Sequence, residues 1–300
     1  MPKTLLMVVG PTAVGKTAFA IQAAQRFGTE IVSADSRQFY SELNIGVARP
    51  SPQELASAPH HLVACRSILQ PYNAYTFEHD ALQCLDAIFH RHNVAVAVGG
   101  SGLYVDALCS GIALLPDPTP QLRQQLQQQI ASQELEPLRR QLQQLDPEAY
   151  ARIDLNNPVR VQRALEVCLT AGRPYSQLLQ APPAPRPFHV VRIAVQAPRE
   201  QLRQRINSRV DAMFQAGLVD EVQSLLPHRS LTPLHTVGYT EIFAYLDGQC
   251  TLAQAADAIK LNTWHYAKKQ ITWLKRYPAT RCTELENSAA FLQEIAAEVY

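Results

Sequence analysis

No segment of this 300-residue chain supplies the roughly 20 consecutive apolar residues that a membrane helix requires. The apolar stretch in MPKTLLMVVGPT is too short for a secretory h-region, so a cytoplasmic protein with no membrane role is expected. The six cysteines (Cys65, Cys84, Cys109, Cys168, Cys250, Cys282) include no C-x-x-C pair, which argues against a zinc knuckle or a disulfide framework and fits a reducing compartment. Net charge is nearly absent: 27 Lys and Arg against 26 Asp and Glu leave +1, so the bulk charge names no partner. An N-K-x-D base-reading motif is missing, which counts against a GTPase-type switch. No repeat period stands out, and nothing marks an obligate protein partner.

What is present is an ordinary folded composition, 47% apolar and 18% charged. At this length one core with an insertion, or two domains, is expected. Short apolar runs at Thr4 to Val9, Glu30 to Ser33, Val94 to Val98 and Val190 to Val195 read as strands with helices between them. Continuous apolar strands alternating with helices make an α/β parallel sheet covered on both faces. From Pro116 to about Ser176 the texture becomes Gln-, Arg- and Leu-rich, with Leu122, Leu126 and Ile130 at helical spacing, so this stretch reads as helices only. It lies between LPDPTP and APPAPRP, whose prolines cannot continue a helix. The expected division is a core of residues 1–115 and 185–300 with a helical insertion at 116–184. Residues 199–226 and 251–276 read as long amphipathic helices.

Between the first strand and the first helix stands Gly10-Pro11-Thr12-Ala13-Val14-Gly15-Lys16-Thr17, the G-x-x-x-x-G-K-T pattern in its proper strand-to-helix context. Backbone N–H groups of such a turn point at an anion, Lys16 adds a charge, and the Thr17 hydroxyl reaches a Mg²⁺ or a phosphate oxygen. This makes the core P-loop NTPase-like. It does not fix the reaction, because a nucleoside triphosphate and an allylic diphosphate offer this loop the same two terminal phosphates.

Asp35 falls at the C-terminal end of the second strand, the edge where open α/β sheets bind ligands. It reads equally as a general base facing the phosphate loop or as an N-cap before a helix. Gly99-Gly100-Ser101-Gly102 follows the strand at Val94 to Val98 and is either a flexible turn or a close backbone approach to a ligand. Arg205 and Arg209 share a helix face at i, i+4, either a solvated basic face or a clamp on a departing diphosphate. Residues 258–283 hold six cations and no anion, interleaved with Trp264, Tyr266, Trp273 and Tyr277. Cations beside aromatic faces suit an RNA backbone and unstacked bases, whereas a core helix with solvated lysines is the plainer reading and is preferred for Trp273.

Taken together, GPTAVGKT, SADSRQFY with NIGVARP, HHLV, YNAYTF, GGSGLY, NPVRVQRALEV, AGLVDEV, VGYTEI and YAKKQITWLKR run collinearly over residues 4–277. In this set the chain resembles the bacterial-type tRNA dimethylallyltransferase family. The resemblance implies transfer of a dimethylallyl group from dimethylallyl diphosphate to N6 of the adenosine 3′ of the anticodon (position 37) in tRNA, with Mg²⁺ accompanying the diphosphate. It implies Asp35 as general base, with Thr17, Lys16 and Arg209 holding the leaving diphosphate. It further implies tRNA contacts at Asp35, Ser36, Arg37, Gln38, Ser101, Arg123, Val159, Arg160, Val161, Gln162 and Arg163, and a mobile helical domain that closes on the anticodon stem-loop. The chain departs from the family pattern at Ser101 (usually Thr), at Arg49 (usually Lys) and at Thr263-Trp264, where a Thr-Arg pair is usual; it carries no C-terminal zinc finger of the eukaryotic kind. Two rivals share the phosphate loop: a small-molecule phosphotransferase using ATP, and a prenyltransferase acting on free AMP or ADP, against which the basic helix and the helical insertion count.

Overall fold

A computed structural model describes residues 2–132, 135–180 and 185–299. Its elements run β1 (Thr4–Val9), α1 (Lys16–Phe27), β2 (Ile31–Ser33), α2 (Pro52–Ser57), β3 (His60–His61), α3 (Ala74–Phe89), β4 (Val94–Val98) and α4 (Gly102–Ser110). There follow α5 (Pro120–Ala131), α6 (Leu135–Leu145), α7 (Pro147–Arg152), α8 (Pro158–Ala171) and α9 (Tyr175–Leu179). The chain then returns through β5 (His189–Gln196), α10 (Arg199–Gln215), α11 (Leu218–Ser224), α12 (Tyr239–Leu246), α13 (Leu252–Leu274), β6 (Arg281–Glu284) and α14 (Ser288–Val299).

The six strands form one parallel sheet in the order β3-β2-β4-β1-β5-β6. Strand alternation splits the core into two layers: Leu5, Met7 and Val9 of β1 face one cluster, while Leu6 and Val8 face the other. Both faces are covered, so β1 and β4 are buried along their whole length, as continuous apolar runs demand. The chain leaves β1 toward β4 and β2 on one side and later toward β5 and β6 on the other. The crevice beyond the C-terminal end of β1 is therefore the topological switch point, where this architecture places ligands.

One expectation needs correction. The helix read over 199–226 is broken: α10 stops at Gln215 and α11 starts at Leu218, because Gly217 adopts φ +97°, a left-handed conformation that ends the helix. Two strands were not foreseen. β3 is only two residues long, and β6 is a polar edge strand whose RCTE sequence carries no apolar alternation.

By internal contact the chain divides into Met1–Ser110 with Arg186–Tyr300, and Gly111–Pro185. The second unit has its own apolar centre, built from Leu126, Leu138, Leu142, Ala149, Val161, Leu165 and Cys168. Three of its helices, α5, α7 and α8, start on side-chain caps, Thr119, Asp146 and Asn157, each followed by proline in the first turn. Of the proline-rich return stretch, residues 181–184 lie outside the described residues.

Candidate active site

The phosphate loop joins β1 to α1. Gly10 has φ +143°, and a Cβ there would lie 2.5 Å from the Val195 carbonyl oxygen, so the loop packs against β5 at a distance only glycine permits. Gly15 is left-handed at φ +102° and caps α1, leaving the first N–H groups of that helix directed toward an anion. Lys16 Nζ donates to the Pro11 carbonyl at 2.8 Å, which holds the ammonium over the loop. Burial, then the nearby Arg209 charge, pushes the Lys16 ammonium down to about 8, with Asp35 opposing the shift.

Two arginines from α10 reach the same loop. Arg205 Nη1 donates to the Val14 carbonyl at 3.2 Å, and Arg209 Nη1 to Thr12 Oγ1 at 3.4 Å. The i, i+4 spacing is the reason: Arg205 and Arg209 share a stripe that flanks the buried Leu202, Ile206 and Val210, so both guanidiniums emerge beside the core and reach the loop. Burial also lowers the Arg209 guanidinium, while Asp35 and Glu54 counteract it.

Asp35 follows β2 and accepts the Arg37 backbone N–H at 2.9 Å. No α-helix follows it; residues 36–39 form turns, so the carboxylate closes an Asx-type turn and does not cap a helix. The loop after β4 lies against it. Ser101 Oγ accepts the Ser36 N–H at 3.1 Å and donates to Ser36 Oγ at 2.9 Å. A Cβ on Gly99 would stand 2.3 Å from the Ala34 carbonyl oxygen, so this approach too depends on glycine.

Three cavities with lining residues in common border these loops. One of about 220 Å³ is lined by Thr12, Asp35, Ser36, Arg37 and Arg209, by the apolar Val47, Val210, Met213, Val237 and Ile259, and by Thr236, Thr263 and Tyr266. A smaller one holds Lys16, Thr17, Ser33, Asp35, Gln38 and His60, and a wider groove shares Arg209 and Met213 with the first. Asp35 thus lines both the first cavity and the loop-side one.

Gln38 lines the loop-side cavity, where its Nε2 donates to the Ala48 carbonyl at 3.0 Å and so braces the NIGVARP segment. The helical unit carries Arg123, whose Nε stands 3.4 Å from Glu166, and Arg163, 3.5 Å from the same carboxylate. Gln162 Nε2 donates to Glu166 at 2.8 Å. Val159 is 71% exposed, and Arg160 is exposed beside it. Val161 is fully buried in the centre of this unit. Its side chain packs among Leu126, Leu138 and Leu165 and holds α8 in place.

Four groups beyond the expected site residues line or brace the site. His60 Nδ1 must donate to the Ala58 carbonyl at 2.7 Å, leaving a buried Nε2 without a partner beside Lys16 and Thr17. Glu221 accepts the Ile45 and Gly46 N–H groups at 2.7 and 3.0 Å and the Tyr239 hydroxyl at 2.7 Å. Gln270 bridges two loops, and the Tyr266 side chain lies near Ser101 and Gln270. HHLV, AGLVDEV, VGYTEI and YAKKQITW held the signal, but no local pattern says what these side chains touch. The basic segment is only partly unpaired: Lys260 meets Asp211 at 2.6 Å, Arg276 meets Asp106 at 3.6 Å and Arg281 meets Glu298 at 2.5 Å, while Lys268, Lys269 and Lys275 are exposed. Trp264 is buried in the second core layer with Arg199 stacked over its ring at 5.5 Å, and Trp273 is half-buried with Nε1 donating to Asp106 at 3.2 Å.

Comparisons with known proteins converge on one family. The profile that describes IPP transferase matches residues 38–277. A tRNA dimethylallyltransferase of Christiangramia forsetii is 42% identical over 300 residues, spanning 100% of this chain and 99% of the relative. The tRNA dimethylallyltransferase 1 of Bacteroides thetaiotaomicron is 43% identical over 290 residues, 97% of this chain and 94% of its own. The crystal structure of the full-length tRNA isopentenylpyrophosphate transferase of Bacillus halodurans aligns with a TM-score of 0.73 at 31% identity, covering 99% of this chain and 97% of that one. A eukaryotic dimethylallyltransferase acting on tRNA shares the fold, with a TM-score of 0.81 at 23% identity over 99% of this chain and 78% of its own. The chain belongs to the IPP transferase family.

Proposed function

We propose that this protein transfers the dimethylallyl group of dimethylallyl diphosphate to N6 of adenosine 37, the residue 3′ of the anticodon in tRNA, and releases diphosphate. The observation that carries the reading is one shared cavity, lined by the phosphate-loop residue Thr12, the carboxylate Asp35 and the cation Arg209 together with the apolar side chains Val47, Val210, Met213, Val237 and Ile259. A phosphotransferase needs no apolar wall beside its phosphates; a prenyl group does.

Lys16, Thr17, Arg209 and the N–H groups opening α1 hold the diphosphate. The adenine must leave the stack of the anticodon loop to reach it, which is why RNA-gripping elements accompany the loop. N6 attacks C1 of the donor, the C1–O bond breaks, its electron pair leaves with the diphosphate, and the amine proton passes to the Asp35 carboxylate. Arg209 and Lys16 offset the charge that develops on the departing oxygens. Ser36, Arg37 and Ser101 border the acceptor side; Arg123, Arg160 and Arg163 of the helical unit, with Lys268, Lys269 and Lys275, supply phosphate contacts.

Among the described residues no cluster of three or more His, Cys, Asp or Glu side chains is arranged to hold a metal. The oxygen donors Thr17, Ser33 and Asp35 around the loop-side cavity do fit a hard cation that arrives with the phosphates, which we read as Mg²⁺. Thr17 would hold it, and it would add charge compensation at the diphosphate. No helix of the described residues is long and apolar enough to cross a membrane.

The test is incubation with radiolabelled dimethylallyl diphosphate and unmodified tRNA, then nuclease digestion, with AMP, ADP and ATP-dependent acceptors in parallel. Label in N6-(dimethylallyl)adenosine next to the anticodon is expected. Label in free nucleotide only, or phosphoryl transfer from ATP, would overturn the reading.

A further inference from the structure

Gln270 is the polar member of the otherwise apolar buried face of α13, alongside Ala255, Ile259, Trp264 and Ala267. Its carboxamide is used at both ends. Oε1 accepts the Thr12 N–H at 2.7 Å and Nε2 donates to the Gly100 carbonyl at 2.9 Å. Thr12 belongs to the phosphate loop after β1, and its hydroxyl meets Arg209. Gly100 belongs to the loop after β4, and the next residue, Ser101, holds Ser36 beside Asp35. One planar amide therefore spans the gap between the loop that grips the leaving group and the loop that supports the base. The Tyr266 side chain, one turn earlier on α13, lies near both Gln270 and Ser101.

Gly100 shows what the arrangement demands. Its backbone is outside the left-handed region, so alanine would be tolerated there on conformational grounds. A Cβ would nonetheless lie 2.3 Å from Gln270 Nε2, whereas the next nearest atoms, Gln270 Cδ and Lys16 Nζ, are at an ordinary 3.5 Å. The glycine is required by the carboxamide, not by the turn.

We propose that Gln270 is a positioning residue that sets the spacing between the diphosphate loop and Asp35. The inference rests on the prenyl-transfer reading above. It predicts that a residue touching neither substrate governs turnover, since a displacement near 1 Å at the reacting groups costs about 10²-fold in rate.

The experiment is a double-mutant cycle on the full chain with wild type alongside. Gln270→Ala removes the bridge, and Gly100→Ala evicts it while leaving the side chain present. Each is expected to lower kcat about 10²-fold while KM for tRNA and pyrophosphate affinity stay within about threefold. The double variant is expected to match either single one, because once the carboxamide is gone the added Cβ keeps only an ordinary 3.5 Å contact with Lys16 Nζ. Losses that multiply to about 10⁴-fold, a loss confined to KM, or a drop in melting temperature with kcat intact would each overturn the positioning role. A wild-type protein that transfers no prenyl group would count against the proposed reaction; an active wild type with multiplicative variants counts against Gln270 alone.

Discussion

Arg209 of α10 and Thr12 of the phosphate loop, 197 residues apart in sequence, meet at 3.4 Å, and one helical turn earlier Arg205 grips the Val14 carbonyl of the same loop. The two arginines have different jobs. Arg209 faces the cavity with Asp35, whereas Arg205 is absorbed by the loop backbone. Arg209→Ala should lower kcat by about 10²–10³-fold, the cost of removing one charge-stabilising donor. Arg205→Ala should act mainly through the loop, raising KM for the prenyl donor with a smaller change in kcat. Steady-state kinetics on both variants checks this.

The Lys16 ammonium titrates near 8 in the free protein, and a bound diphosphate raises it again. Below that pH the lysine is charged in both states and binding takes up no proton there. Above it the free protein has lost the proton and binding must restore it, so pyrophosphate affinity falls as pH rises through about 8, by up to about tenfold per unit. Calorimetric titration between pH 7 and 10 should show this break, and Lys16→Met should lack it.

Glu221 ties AGLVDEV to NIGVARP by accepting two backbone N–H groups, with Tyr239 of VGYTEI as a third donor. A Cβ on Gly46 would stand 2.5 Å from the Tyr239 ring. Glu221→Gln turns one acceptor into a donor facing N–H groups and should cost about 1–3 kcal/mol of stability. Thermal denaturation measures it; an unchanged melting temperature would show that the node does not brace the cavity wall.

Leu142 is fully buried in the helical unit, whose core is separate from the two layers of the sheet. Leu142→Ala should cost that unit about 2–5 kcal/mol through the cavity it leaves. Hydrogen exchange should show faster opening in α5, α6 and α8 while β1 and β4 stay protected.

Much of the fold was legible in the sequence because its central strands are continuous apolar runs and its phosphate loop is a fixed pattern between a strand and a helix. β6 was not, because an edge strand with sequence RCTE has no apolar period to read. The break at Gly217 was missed because the apolar spacing continues on either side of it, although a glycine after AMFQA is a helix-stop signal in its own right. In the site, the i, i+4 pair Arg205 and Arg209 could be read from spacing, but what both face only the fold shows. Gln270 was illegible: inside KKQITW it is one more polar residue on a basic helix, and its partner Thr12 lies 258 residues away.

Asp35→Asn keeps the shape of the side chain that closes the turn with Arg37 and removes the base. A loss in kcat of about 10²–10⁴-fold with tRNA affinity retained is expected. Single-turnover rates and a tRNA binding isotherm decide it; wild-type rates would remove Asp35 from the proton path.

The most direct test of the central claim is a double-label experiment with dimethylallyl diphosphate carrying carbon label in the prenyl group and phosphorus label in the diphosphate. The account predicts that carbon label enters adenosine 37 of unmodified tRNA while phosphorus label appears as free diphosphate in equal amount. Phosphorus label in the product, or consumption of ATP with no carbon label in RNA, would contradict it.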